Sequence, residues 1–170
     1  VLQHQGKYPV IFLTFKDIKE TSFEKAYEKI YKLILKIYGE FSYLQTSSLL
    51  LEHQKDFIKR ILKRKADQGD LENSLQELTE YLFQHHGVKP IILIDEYDTP
   101  IQAGYLKGYY DEAIFFFRNF FGAALKDNRF LFKAVLTGIL RVSRESLFSG
   151  LNNLKVHSIL DSQLSSFFGF

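Results

Sequence analysis

Four consecutive aliphatic residues, Ile91-Ile92-Leu93-Ile94, run without interruption into Asp95-Glu96-Tyr97-Asp98. A continuous, β-branched run of this length predicts a strand buried on both faces, as in parallel sheets. Pro90 stands at its start, where a missing N–H costs the ladder nothing. Tyr8 to Phe15 (Tyr-Pro-Val-Ile-Phe-Leu-Thr-Phe) repeats the pattern and predicts a second buried strand. Arg129 to Leu136 predicts a third, ending at Thr137-Gly138. Between the strands the apolar period becomes helical. Phe23, Ala26, Tyr27, Ile30, Ile34 and Ile37 follow Thr21-Ser22-Phe23-Glu24, which fits a capping box, and Gly39 ends the run. Ser47-Ser48 opens a second predicted helix, with Leu50, Leu51, Phe57, Ile58, Ile61 and Leu62 on one side, and Gly69-Asp70 breaks it. Leu71, Leu75, Leu78 and Leu82 carry a third helix to Gly87. After Pro100 a stretch holding Gly104 and Gly108 has no period and predicts an exposed loop. Asp111 caps a fourth helix to about Lys126, whose Phe115-Phe116-Phe117 and Phe120-Phe121 read as core.

Helices between strands demand crossover connections, so the fold class is α/β with a parallel sheet. The 170 residues make one domain over 1–154, with 155–170 as its extension. Hydrophobic residues at 46% exclude a disordered chain. The absence of cysteine excludes disulfides and thiolate metal sites. No apolar run approaches the roughly 20 residues of a membrane span. A cytoplasmic protein is the expectation. A net charge of +2 does not by itself argue for nucleic acid. The polar side of the second helix is basic, however: Lys55, Lys59, Arg60, Lys63, Arg64 and Lys65 stand against Asp56 alone. That pattern is either an anion or nucleic-acid patch or a solvated helix face. His85 and His86 are neighbours on a helix, point about 100° apart and make a poor chelate, so no structural zinc is expected.

Carboxylates at the carboxyl end of a buried strand are expensive to desolvate unless something positive meets them. In open α/β sheets that end is where ligands bind. Asp95 and Glu96 are therefore expected to face a metal-bound nucleotide phosphate. Asp95 would serve magnesium, and Glu96 would reach a water in line with the terminal phosphate. Thr137, ending a neighbouring strand, would watch that phosphate. Arg141 or Arg144 would offset charge in the transition state. Asp-Glu-x-Asp also occurs in helicases, but the chain is too short for a second motor domain. Asp95 and Asp98 sharing a divalent ion would make a metal-dependent nuclease. A scaffolding or regulatory α/β domain with a vestigial acidic strand end is the non-enzymatic alternative.

Asp95-Glu96-Tyr97-Asp98-x-Pro100, followed by Thr137-Gly138-x-x-Arg141-x-Ser143-x-x-Ser146-Leu147-Phe148-Ser149-Gly150-Leu151-Asn152-Asn153-Leu154, resembles the predicted AAA-ATPase-like family of bacteria. Its members often carry a PD-(D/E)XK nuclease-like domain at the C-terminus. The resemblance covers Tyr8 to Leu154 and implies a P-loop NTPase core of ASCE type using ATP and Mg2+. Asp95 would be the Walker B aspartate and Glu96 the catalytic glutamate. Thr137 with Arg141 would form a sensor-like strand end, and Arg144 would lie beside the nucleotide. The implied sheet order is 5-1-4-3-2, of which these three strands form the contiguous 4-3-2 block flanked by helices. Ile139-Leu140 stands where members show a valine–serine pair. No Gly-x-x-x-x-Gly-Lys-[Ser/Thr] occurs, and Gly6-Lys7 is followed by Tyr8-Pro9. The family places its phosphate loop upstream of the Tyr-Pro-Val strand. The chain is therefore expected to be a fragment that begins after that loop and is inactive alone. The Leu131 to Leu136 strand would then present an open edge and favour self-association.

Overall fold

The computed structural model describes residues 4–139, 147 and 154–158. Three parallel strands, β1 (Val10–Thr14), β2 (Ile91–Asp95) and β3 (Lys133–Leu136), pair in the order β1-β2-β3. The acid-ended strand is thus central, and the order agrees with the contiguous block expected. α1 (Phe23–Glu40), a 3-10 turn (Ser42–Thr46), α2 (Glu52–Leu62) and α3 (Gln68–His86) link β1 to β2. α4 (Thr99–Lys107) and α5 (Tyr110–Leu125) link β2 to β3.

The alternation of a strand sorts its residues into two faces. Ile11 and Leu13 of β1 lie opposite Ile92 and Ile94 of β2, which lie opposite Ala134 and Leu136 of β3. This face is closed by one core shared with α1, α3 and α5. The other face carries Val10, Phe12, Ile91, Leu93, Lys133 and Val135. Val10 is 44% exposed, Phe12 56% and Val135 46%. Burial on both faces, expected from the unbroken apolar run, is therefore not seen among the described residues. Apolar character permits a face to be covered but does not supply the layer that covers it.

Several element boundaries differ from the sequence expectation, each for a local reason. The cap of α1 is Ser22, whose extended backbone (φ −149°) lets its Oγ accept from the Lys25 N–H at 3.5 Å; Thr21 lies outside the helix. Ser47 does not open α2. Its Oγ accepts from the Leu49 N–H at 3.2 Å, a local bond that competes with the helix, and α2 starts at Glu52. Gly69-Asp70 does not break the chain but sits in the first turn of α3, because Asp67 accepts from the Asp70 N–H at 2.8 Å. The true break precedes it, where Arg64 turns left-handed at φ 56°.

The loop expected after Pro100 is α4. Pro100 falls in the first turn, where its missing N–H is tolerated. Gly108 ends the helix at φ 82°. Gly104 lets α4 approach α5: a Cβ there would lie 3.2 Å from the Ala113 Cβ. β3 is shorter than expected, since Asn128 Oδ1 accepts from the Phe130 N–H and holds that stretch as a turn. The aromatic belt of α5 is core as expected. Phe116, Phe117, Phe120 and Phe121 are buried, Phe15 meets three of them edge-on, and Phe115 alone of the five is exposed.

Candidate functional site

Parallel strands in register end side by side, and here their last residues are polar. Thr14 is the register partner of Asp95, and Leu136 is that of Ile94, so Thr137 falls on the far side of Asp95. The three positions continue the open face of the sheet, one row beyond Phe12, Leu93 and Val135. Thr137 Oγ1 donates to Asp95 Oδ1 at 2.6 Å. Thr14 Oγ1 donates to Asp95 Oδ2 at 3.2 Å. The Lys16 N–H donates to Thr14 Oγ1 at 3.4 Å, which leaves the hydroxyl proton for the carboxylate. Among the described residues no ion pair engages Asp95 or Glu96.

The four residues of the acidic cluster part company as the chain leaves β2. Glu96 takes a left-handed conformation at φ 52°, which costs a non-glycine residue roughly 1 kcal/mol or more. This turns its side chain to the start of α4, where its carboxylate accepts from Thr99 Oγ1 at 2.9 Å and its carbonyl from the Thr99 N–H at 3.1 Å. The Tyr97 N–H donates to the Thr137 carbonyl at 3.1 Å and ties the turn to the end of β3. Asp98 is 1% exposed; its carbonyl accepts from the Ile101 and Gln102 N–H groups and its Oδ2 from Gln102 Nε2 at 2.5 Å. Gly138 closes over this turn. A Cβ on it would lie 2.5 Å from Asp98 Oδ1 and 2.8 Å from Tyr97 Cε1, so any side chain there would force the turn to shift.

Of the residues named from sequence, the structure brings Asp95 and Thr137 together and directs Glu96 to the adjacent helix start. Asp98, offered as a partner of Asp95 on a shared ion, is packed into the base of α4. Arg141 and Arg144 lie outside the described residues, as does most of the Leu147–Leu154 block. Thr14 was missed. Its signal was a polar residue inside the otherwise apolar Tyr-Pro-Val strand, and strand register was needed to give it meaning. Among the described residues there is no cluster of three His, Asp or Glu side chains able to cage a metal unaided. One carboxylate flanked by hydroxyls is nevertheless an all-oxygen donor set. Such a set suits magnesium, which keeps waters and substrate phosphates as its other ligands.

The basic side of α2 is largely neutralised. Lys55 pairs with Glu52, Lys59 with Asp56, Arg60 with Asp70 and Arg64 with Glu28. The last two contacts are forked, and both acids come from other helices, which the local sequence window could not show. His85 and His86 tie the end of α3 to the preceding segment. Tyr43 Oη lies 2.7 Å from His86 Nε2, and Ser47 Oγ 2.9 Å from His85 Nδ1. Burial first, and His85 second, push the His86 imidazole below its ordinary range. No helix among the described residues is long and apolar enough to cross a membrane.

A family model described as Predicted AAA-ATPase matches residues 1–148. No curated protein and no solved structure gave a match.

Proposed function

The chain belongs to the predicted AAA-ATPase family, and from that premise we propose that it supplies the magnesium-holding strand of an ATP-hydrolysing site. The observation that carries this reading is the Asp95 carboxylate, held at the carboxyl end of the central strand by a hydroxyl from each neighbouring strand. Asp95 holds the metal directly or through a bound water. When bound, Mg2+ offsets the negative charge of the triphosphate. Glu96, swung out of the sheet plane by its left-handed backbone, orients the attacking water. Thr137 gives its one hydroxyl proton to Asp95 and holds that carboxylate beside the terminal phosphate, and Arg141 or Arg144 offsets charge that builds up in the transition state.

The 170 residues contain no Gly-x-x-x-x-Gly-Lys-[Ser/Thr]. The reading therefore rests on Asp95 and its two hydroxyl partners, and slow nucleotide turnover by these residues alone is part of the proposal. The outer edge of β3 favours association with a further strand. Nucleic-acid binding through α2 is not part of this reading, because three of its cations, and Arg64 just beyond it, are already paired.

Asp95→Asn in the full-length protein tests the assignment. It keeps the shape of the side chain and removes its charge. The expected result is a loss of ATP hydrolysis of roughly 100-fold or more, the scale on which a single preorganised electrostatic group acts. Unchanged hydrolysis would favour the scaffolding alternative.

A further inference from the structure

We infer that Thr14 is a positioning residue for Asp95, and that the two threonines at the ends of β1 and β3 aim its carboxylate at the metal. This rests on the proposed nucleotide reading and deepens it. A carboxylate on a short side chain is free to rotate about its last bond, and a freely rotating carboxylate presents no fixed lone pair to an ion. Here each oxygen is held from a different strand: Oδ1 by Thr137 at 2.6 Å and Oδ2 by Thr14 at 3.2 Å. Two points of attachment on opposite sides define the plane of the group. An ionised carboxylate offers about four lone-pair sites, so two hydroxyl donors leave one on each oxygen for a metal or its water.

The direction of these bonds is itself arranged. Thr14 Oγ1 accepts from the Lys16 N–H at 3.4 Å, so its own proton points away from that amide and toward Asp95. The β1–β2 register then fixes the spacing, because Thr14 and Asp95 are direct partners in the ladder. The Phe15 N–H donates to the Asp95 carbonyl at 3.0 Å and continues the ladder past the site. Thr14 thus sits on rigid sheet backbone. A buried salt bridge could have fixed Asp95 equally well, but it would have cancelled the charge the metal needs. Neutral hydroxyls orient the group and leave its charge intact.

The test uses the full-length protein with ATP present and Mn2+ as a paramagnetic stand-in for Mg2+. Free Mn2+ is followed by electron paramagnetic resonance, and hydrolysis is followed separately. Loss of a group that orients a metal ligand typically weakens metal affinity or activity 10- to 100-fold. Thr14→Val, which removes the hydroxyl and keeps the branched shape, is expected to weaken Mn2+ binding in the presence of ATP by that factor. Thr14→Ser, which keeps the hydroxyl, is expected to stay near wild type. A purely structural role would lower the melting temperature of Thr14→Val without this split in metal affinity, and that pattern overturns the inference. Should Thr14→Val not fold, Thr14→Ala beside Thr14→Ser makes the same comparison. Should Asp95→Asn lose metal binding while Thr14→Val does not, the positioning role falls and the nucleotide reading stands. Should wild-type protein bind no Mn2+ with ATP, or Asp95→Asn bind it unchanged, the nucleotide reading falls and takes this inference with it.

Discussion

Gly138 joins the candidate site to the fold, and substituting it gives a worked case. In Gly138→Ala the new Cβ would sit 2.5 Å from Asp98 Oδ1, 2.8 Å from Tyr97 Cε1 and 3.0 Å from Asp98 Cγ. An ordinary contact begins at 3.4 Å, so the turn has to open by close to ~1 Å. Asp98 cannot easily yield. Its side chain is 1% exposed and bonded to Gln102, and its carbonyl starts α4. Overpacking of this kind costs ~1–3 kcal/mol. Stiffening of the unfolded chain on replacing glycine returns about 0.4–1 kcal/mol. The expected net loss is ~1–2 kcal/mol, which in a chain of this size lowers the melting temperature by about 2–4 °C per kcal/mol. Gly122→Ala is the control. Apart from its chain neighbours and the backbone of its own helix, no atom lies within 4 Å of its Cβ position, so the same substitution inside α5 is expected to gain up to ~1 kcal/mol. Urea unfolding followed by circular dichroism measures both, with the slope unchanged if only stability has moved. The two variants must shift in opposite directions. Gly138→Ala melting with or above wild type would refute the close packing described for this turn.

Two further predictions concern the helical layer. Asp67→Ala removes the cap of α3 and should cost ~1 kcal/mol in the same urea assay, with a loss indistinguishable from zero counting against the boundary assigned at Gln68. Asp70 is held below the usual carboxylate range chiefly by its hydrogen bonds from the Arg60 guanidinium, so it stabilises the fold in its ionised form. A carboxylate with a depressed folded value contributes fully above its unfolded value, near 3.8, and loses that contribution as pH falls through the lower folded one. Asp70→Asn should therefore be the less stable protein at neutral pH, by no more than about 1 kcal/mol for so exposed a pair. The gap should close on acidification below pH ~4. A gap that does not narrow as the pH falls below ~4 would place the effect elsewhere than in the ion pair.

Much of the fold was legible because its elements announce themselves locally. Ile91-Ile92-Leu93-Ile94 reads as a strand from four residues alone, and the helical period from Phe23 to Ile37 leaves little choice for α1. The misreadings share one cause. Gly104 looks like a loop residue until Ala113 of α5 is seen against it, and Gly69-Asp70 looks like a break until Asp67 is seen capping the turn that contains them. Glycine serves close packing and chain reversal alike, and only neighbours distant in sequence tell the two apart. The basic face of α2 is a similar case. Glu28 and Asp70 neutralise Arg64 and Arg60 from α1 and α3, beyond any window drawn around the cations.

By itself, the order of residues determined the three strands and every helix but α4, the parallel connections and the acid at the tip of the Ile91–Ile94 strand, whose central place only the family resemblance implied. Each of these follows from periodicity and side-chain chemistry over a few neighbouring positions. It also placed Asp95 and Thr137 at strand ends. Only the tertiary structure decided that Thr14 joins them, that Asp98 is packed away beneath Gly138, and that one face of the sheet carries no helix among the described residues. Those outcomes depend on register and layer packing between segments some 80 residues apart, as Thr14 and Asp95 are. Strand register is a property of the paired chains and is written in neither one alone.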